Sequence, residues 1–323
     1  MRFDTPVVLF LFNRPDKTRR VFEAIREVRP TTFLVVGDGP RDRPGETQLC
    51  AETRAILAGI DWDCELHTNL ADENLGLPGR FASAFEWIFE LVDEAIILED
   101  DCLPHPSFFP YCAELLRRYR DDPRVMWIGG TNPSEEAYGD GSYFFARSIW
   151  VWGWATWRRA WQHYDNDLTD YPAFKKAGRI ARISPFRRLQ RGYMAIFELA
   201  HEGRWRAWDA RGTFTVWNND GVAVVPNGNL VSNIGFDELA EHTRRADDPL
   251  AGLPFRPIES IVHPRDTSIQ HDYDIRMFDA HASWMNDYAR VRTLRKLHVT
   301  PLYSAALAVL HFLQDVLPFE PPG

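Results

Sequence analysis

A chain of 323 residues is long enough for one large α/β domain or two smaller ones and can bury a sizeable core. Its 37 Lys and Arg stand against 46 Asp and Glu, a formal net charge of -9 that argues against attraction of the whole protein to nucleic acid or to an anionic bilayer. With 45% hydrophobic and 26% charged residues, neither a disordered nor a fibrous protein is indicated, and the unusual figure is 12 tryptophans.

Residues 7–12 are a continuous apolar run, which reads as a first strand buried on both faces rather than as a signal peptide, since no basic segment or small-residue cleavage site accompanies it. A helix is predicted over 16–28, with Val21, Phe22, Ile25 and Val28 on one face. A second strand over 33–36 ends at Gly37-Asp38-Gly39-Pro40, a helix includes 53–57, and a third strand is placed at 64–67. Residues 80–92 read as a helix burying Phe81, Ala84, Phe85, Ile88 and Val92. The strand over 95–98 runs directly into Glu99-Asp100-Asp101, and a helix near 108–119 and a strand near 125–128 follow. Such alternation predicts βαβ units around a parallel sheet.

Nine of the 12 tryptophans fall between Trp127 and Trp217. Alternation at Trp150, Trp152 and Trp154 suits one face of a strand, and Trp157 and Trp161 suit one face of a helix. Most of these indoles are expected in the core, although sugar rings also stack on indoles through their C–H faces. The four cysteines, Cys50, Cys64, Cys102 and Cys112, form no C-x-x-C pair, and reduced thiols in a cytoplasm are the simpler reading. No segment reaches the roughly 18–20 apolar residues of a membrane-spanning helix.

In an open parallel sheet, ligands bind beyond the carboxyl ends of the strands. Three predicted strands end in residues able to do chemistry: Asn13-Arg14, Asp38, and Glu99-Asp100-Asp101. Adjacent carboxylates repel one another and raise their own pKa values unless a cation or hydrogen-bond donors are present. A divalent ion such as Mg²⁺ or Mn²⁺ resolves that conflict and takes substrate phosphates as further ligands, whereas the bland alternative is a solvated acidic turn. The first strand-to-helix turn, Phe12-Asn13-Arg14-Pro15-Asp16, holds no glycine and the chain has no G-x-x-x-x-G-K-[ST] loop, which disfavours Rossmann dinucleotide binding, P-loop hydrolysis and a sugar-nucleotide pyrophosphorylase.

The run Ile96-Ile97-Leu98-Glu99-Asp100-Asp101-Cys102-Leu103-Pro104, followed by Phe108-Phe109, resembles the acidic metal motif of GT-A fold glycosyltransferases. The similarity is to the N-acetylglucosaminyltransferase I-like group and its bacterial relatives in the nucleotide-diphospho-sugar transferase superfamily. Asn74-Leu75-Gly76-Leu77, the stretch from Trp152-Gly153-Trp154 to Trp161, and that from Asn229 to Phe236 also look like stretches of those bacterial proteins. The resemblance implies an α/β, GT-A (Rossmann-like) mostly parallel sheet flanked by helices. Residues 1–130 would form the nucleotide-sugar-binding half, 131–250 the acceptor-binding and catalytic half, and 251–323 a C-terminal helical extension.

Residue by residue, the resemblance implies that Arg14 contacts the nucleotide and that Asp38 meets its base or ribose. It places Glu99 and Asp100 near the donor and makes Asp101 a direct metal ligand, with His242 completing an Mn²⁺ or Mg²⁺ site. Arg80 either approaches the diphosphate or sugar or is an exposed helix residue. Asp209, in Trp208-Asp209-Ala210, resembles the catalytic base of inverting enzymes, although Arg211-Gly212-Thr213 departs from the usual continuation. Trp152, Trp154 and Trp208 are the acceptor-platform candidates.

The implied activity is transfer of a sugar from a nucleotide diphosphate, UDP by family habit, to a hydroxyl of a saccharide or glycoconjugate acceptor. A non-catalytic carbohydrate-binding protein on an inactive GT-A fold is the alternative. Nucleic acid is not an expected partner. Arg290, Arg292, Arg295 and Lys296 precede an apolar stretch at 302–317, which reads either as a membrane-surface anchor at the cytoplasmic face or as a helix packed on the domain or in a dimer.

Overall fold

The computed structural model describes residues 2–205, 207–236, 248–282 and 285. Its first stretch is a run of βαβ units: β1 (Val7–Leu11), α1 (Pro15–Val28), β2 (Thr32–Gly37), α2 (Glu46–Ala55), β3 (Glu65–Leu70), α3 (Gly76–Leu91) and β4 (Glu94–Glu99). Then come β5 (Cys102–Pro104), α4 (Phe108–Arg118), β6 (Val125–Gly129), β7 (Tyr143–Ala146) and β8 (Trp154–Trp157). A helical stretch follows, with α5 (Arg158–Trp161), α6 (Tyr171–Lys176), α7 (Ile180–Ile183), α8 (Arg187–His201) and α9 (Trp208–Asn218). The remaining elements are β9 (Val222–Pro226), β10 (Val231–Asn233) and α10 (His271–Met277).

Every residue of β1 is buried, because the strand faces a core on both sides. Val7, Leu9 and Leu11 point into one core with Val21, Phe22 and Ile25 of α1, while Val8 and Phe10 point into another with Phe81, Phe85 and Ile88 of α3. Pro15, which has no N–H to leave unpaired, opens α1 at its first turn. A third core gathers α6 to α9 around Phe174, Phe197, Phe214 and Trp217.

One eight-stranded sheet runs in the order β3-β2-β1-β4-β8-β6-β9-β7, so strands from both halves share it. Parallel pairing joins β3, β2, β1 and β4, and again β6 and β9, whereas β8 is antiparallel to β4 and β6 and β7 is antiparallel to β9. This is the mostly parallel, Rossmann-like α/β sheet flanked by helices that the sequence predicts. A small antiparallel ladder of β5 with β10 lies beside it.

Several expectations need correction. The period-two tryptophans do not mark one strand: only Trp154 lies in β8, and Gly153 before it takes a left-handed turn at φ 63°. That glycine is required, since a β-carbon there would press on the side chain of Val231. Trp157 is the last residue of β8, not part of the helix holding Trp161. The stretch expected as a helical extension is irregular over 251–270, where Pro254, Pro257 and Pro264 forbid a helix, and among the described residues beyond it α10, the short turn over 278–282 and residue 285 are helical. The apolar stretch at 302–317 and its basic prelude lie outside the described residues, and no helix among the described residues is long and apolar enough to cross a membrane.

Candidate active site

The sheet order sets β2, β1 and β4 side by side and parallel, so the segments leaving them emerge along one edge. There the Arg14 guanidinium donates to Asp101 at 2.7 Å, with both side chains largely buried. The backbone N–H of Phe12, leaving β1, donates to Asp100 at 3.1 Å. Two strand ends that are far apart in sequence are thus tied by an ion pair and a charge-assisted hydrogen bond.

Loss of water, followed by the charges of Asp101 and Asp100, pushes the Glu99 carboxyl well above the usual carboxylate range, against the pull of Arg14. Burial and the neighbouring Asp101 push Asp100 up to about 7, although Arg14, the Phe12 N–H and Lys17 oppose the shift. Three carboxyl groups in succession therefore strain against one another electrostatically, as their adjacency requires.

The ladder of β5 with β10 closes the other side. Asn233 pairs with Cys102, the N–H of Ile234 donates to the backbone oxygen of Asp101 at 2.8 Å, and the Asn233 side chain accepts from the Gly235 N–H at 2.7 Å. Gly235 consequently lies against the ion pair, where a β-carbon would come within 2.7 Å of the Asp101 carboxyl carbon and 2.8 Å of Arg14 Nη1. Phe236 then meets Trp152 edge to face, with ring centroids 5.7 Å apart. The stretch from Asn229 to Phe236 carries a sequence resemblance, but the roles of Asn233 and Gly235 depend on a cross-chain pairing that no local pattern announces.

Asp209 approaches from the opposite half. Glu99 is the register partner of Phe10, Phe10 stacks on Phe81 at 4.6 Å, and Phe81 stacks on Trp208 at 4.6 Å. This line of rings sets the first turn of α9 over the end of β4, and the charge of Asp209 contributes to the upward shift of Glu99. One Asp209 oxygen accepts the N–H of Ala210 at 2.6 Å.

The acceptor-platform expectation is corrected for two indoles. Trp154 and Trp208 are 0% and 4% exposed, and Trp154 is sandwiched in the core with its ring 3.7 Å from that of Trp127 and 5.6 Å from that of Trp208. Neither presents a face to a ligand. Trp152 is only partly buried and adjoins Phe236.

Asp38 stands at the end of β2 with its carboxylate engaged by the chain itself. It accepts from the N–H groups of Gly39, Leu75 and Gly76 and from the Asn74 side chain at 2.9–3.0 Å, holding the turn that opens α3. Arg80 is 5% exposed, so it is not a solvated helix residue. Its guanidinium donates to the backbone and side-chain oxygens of Asn69, and its buried Nε has no hydrogen-bond partner among the described residues. A network missed by sequence reasoning flanks this region: buried Glu46 accepts from Asn13 at 3.0 Å and pairs with Arg41 at 2.6 Å.

Hard carboxylate oxygens suit a divalent cation, and a small ion of that kind commonly takes only one or two protein carboxylates before water and phosphate complete its shell. Among the described residues no three His, Cys, Asp or Glu side chains form a ready-made metal cluster. The acidic turn fits as the protein's share of a site completed by a phosphate-bearing ligand, with Asp101 and Asp100 as the oxygens to hand. His242 lies outside the described residues.

No protein-family model matches the chain, and no curated protein matches it. Among solved structures, it is similar to a mannosyltransferase from Pyrobaculum calidifontis in complex with GDP-Man and Mn²⁺, at 15% identity over 68% of this chain and 69% of that one, with a TM-score of 0.39. A 4-diphosphocytidyl-2C-methyl-D-erythritol synthase from Anaerococcus prevotii matches at 6% identity over 68% of this chain and 87% of its own, with a TM-score of 0.35. A UDP-glucose pyrophosphorylase complexed with UDP-glucose matches at 9% identity over 49% of this chain and 78% of its own, with a TM-score of 0.29. At such scores the likeness assigns no activity to this chain.

Proposed function

We propose that the protein is a metal-dependent glycosyltransferase that moves a sugar, with inversion, from a nucleotide diphosphate such as a UDP-sugar to a hydroxyl of a saccharide or glycoconjugate acceptor. The observation that carries this reading is the convergence of Arg14, the Glu99-Asp100-Asp101 turn and Asp209 at the carboxyl edge of β1 and β4. A bound Mn²⁺ or Mg²⁺ held by Asp101 and Asp100 would neutralise charge on the diphosphate.

The chain's own residues do the rest. Arg14 already sits at the acidic turn and offers a permanent positive charge to the leaving diphosphate oxygens. Asp209 accepts the proton of the acceptor hydroxyl as the new C–O bond forms at the anomeric carbon and the bond to the diphosphate breaks, the electron pair leaving with the phosphate. Attack from the face opposite the diphosphate inverts the anomeric centre. Glu99, which ends β4 next to Asp100 and Asp101 and is pushed above the usual carboxylate range, would hydrogen-bond a donor-sugar hydroxyl.

Calorimetric titration with UDP, with and without Mn²⁺, tests the reading. Binding that requires Mn²⁺ and is lost in Asp101→Ala is the expected result. Absence of nucleotide binding by the unaltered protein would overturn it.

A further inference from the structure

From Tyr171 to Phe197 the chain carries seven basic residues and no acidic one, against its overall charge of -9. The seven are Lys175, Lys176, Arg179, Arg182, Arg187, Arg188 and Arg191, and they run from the end of α6 through α7 into the first turns of α8. All are exposed except Arg179, which is partly buried. Three have carboxylate partners: Lys175 with Glu198 at 3.1 Å, Arg179 with Asp220 at 3.1 Å, and Arg188 with Asp279. The side chains of Lys176, Arg182, Arg187 and Arg191 form no ion pair among the described residues.

The apolar side chains between them explain the arrangement only in part. Phe174, Ile183 and Leu189 are buried in the core under α6 to α9 and fix the three helices as a platform, and their burial leaves the cations on the outward side. Core packing thus accounts for the helices and leaves four positive charges of one stretch without an ion-pair partner among the described residues. Unscreened like charges repel at a cost, and an opposing surface of negative charge relieves it.

The platform's position shows what kind of surface this is. Arg179 reaches Asn218 and Asp220, at the carboxyl end of α9, whereas Asp209 lies in the first turn of that helix. The 11 residues of α9 separate the two by about 15 Å. A partner held here stays clear of the acidic turn and of Asp209, which fits docking rather than capture of a substrate.

We propose that this platform docks the protein on an anionic phospholipid surface. The chemistry favours lipid over nucleic acid. No aromatic side chain of the platform is exposed for stacking on bases, whereas the spread negative charge of a phospholipid surface can meet cations carried on three helices. The platform is separate from the basic residues at 290–296, and the proposal does not depend on the glycosyltransferase reading.

Flotation of the full chain with vesicles of phosphatidylcholine mixed with phosphatidylglycerol, against vesicles of phosphatidylcholine alone, tests it. The unaltered protein should float with the mixed vesicles only, and less so as salt rises. The quadruple variant Lys176→Gln, Arg182→Gln, Arg187→Gln, Arg191→Gln should lose on the order of 100-fold or more in partitioning, since each cation near an anionic surface is worth about a fivefold gain. The charge-preserving quadruple (Lys176→Arg with each Arg→Lys) should float as the unaltered protein does, which separates charge from folding.

Equal flotation of the Gln variant would assign any membrane contact elsewhere in the chain and overturn the proposal. It would be overturned equally by flotation with phosphatidylcholine alone, by no flotation at all, or by failure of the charge-preserving variant. If the unaltered protein ignores both vesicles and binds duplex DNA through these cations, the partner is nucleic acid and the lipid proposal fails.

Discussion

Asp209 owes its place to its neighbour. Trp208 is held in the stack of Phe10 and Phe81, so the next residue has little freedom to leave the end of β4. Asp209→Asn keeps the shape and an oxygen for the Ala210 N–H but removes a group able to take a proton. The expected outcome is a fall in kcat of about 10²–10⁴-fold with the KM for the nucleotide-sugar little changed, read from release of nucleotide diphosphate. Retained turnover would move the base elsewhere. The acidic turn and Arg14 were legible in the sequence because each directly follows an apolar strand. The engagement of Asp38 was not, because three of its four partners are backbone N–H groups, two of them in a turn more than thirty positions away. Trp154 and Trp208 misled for a related reason: an indole looks the same in a string of letters whether it lines a crevice or fills a core.

Elements were read well where period and burial agree. The helices α1, α3 and α4 and the strands β1, β2 and β4 are all found within a few residues of their predicted places, because each puts an apolar face or an apolar run against the sheet core. The pattern failed at 150–154, where period-two tryptophans mimic a strand but Gly153 turns the chain. The array of Trp127, Trp154, Trp161 and Trp208 is the main packing feature of the sheet face beneath α9. The indole N–H of Trp154 has no partner among the described residues, although the ring is fully buried. Trp154→Ala should destabilise the fold by about 3–5 kcal/mol through the cavity it leaves. Trp154→Phe should cost less than half as much, because it also removes a buried donor whose isolation costs about 1–3 kcal/mol. Urea unfolding of the two variants checks this, and equal losses would mean that the N–H is satisfied in solution.

At the scale of the whole molecule, the segment over 248–270 returns to the sheet, where His263 fastens it before Ile269 bridges to Phe145. The His263 ring meets the Tyr143 hydroxyl at 2.9 Å and Glu114 at 3.5 Å, and Tyr143 in turn meets the Tyr119 hydroxyl at 2.6 Å. Burial, helped by Arg118 and Arg117 and opposed by Glu114, lowers the His263 pKa below its ordinary value of 6.5. The unfolded chain then takes up the proton before the folded one does. The contribution to stability is therefore complete above about pH 6.5 and is lost as pH falls through the lower folded value. His263→Gln should flatten the rise of unfolding free energy between about pH 5 and 7, measured by urea titration at each pH. An unchanged slope would place the dependence on other groups. None of this closure was legible beforehand, since the prolines of the segment announce only the absence of helix, not where the chain goes.

The strand order also bears on how the chain is made. β4, which carries the acidic turn at its end, is paired on one side by β1 from the outset, but its other neighbour is β8, which begins 55 residues after β4 ends. At about 5–20 residues per second, a ribosome leaves that edge bare for several seconds. During synthesis the future site borders an open strand edge, the kind of surface on which chains join one another. The arrival of Trp154–Trp157 ends that exposure well before β9 completes the sheet, so the tryptophan-rich strand acts as a time-keeper for the growing chain as well as a filler of its finished core.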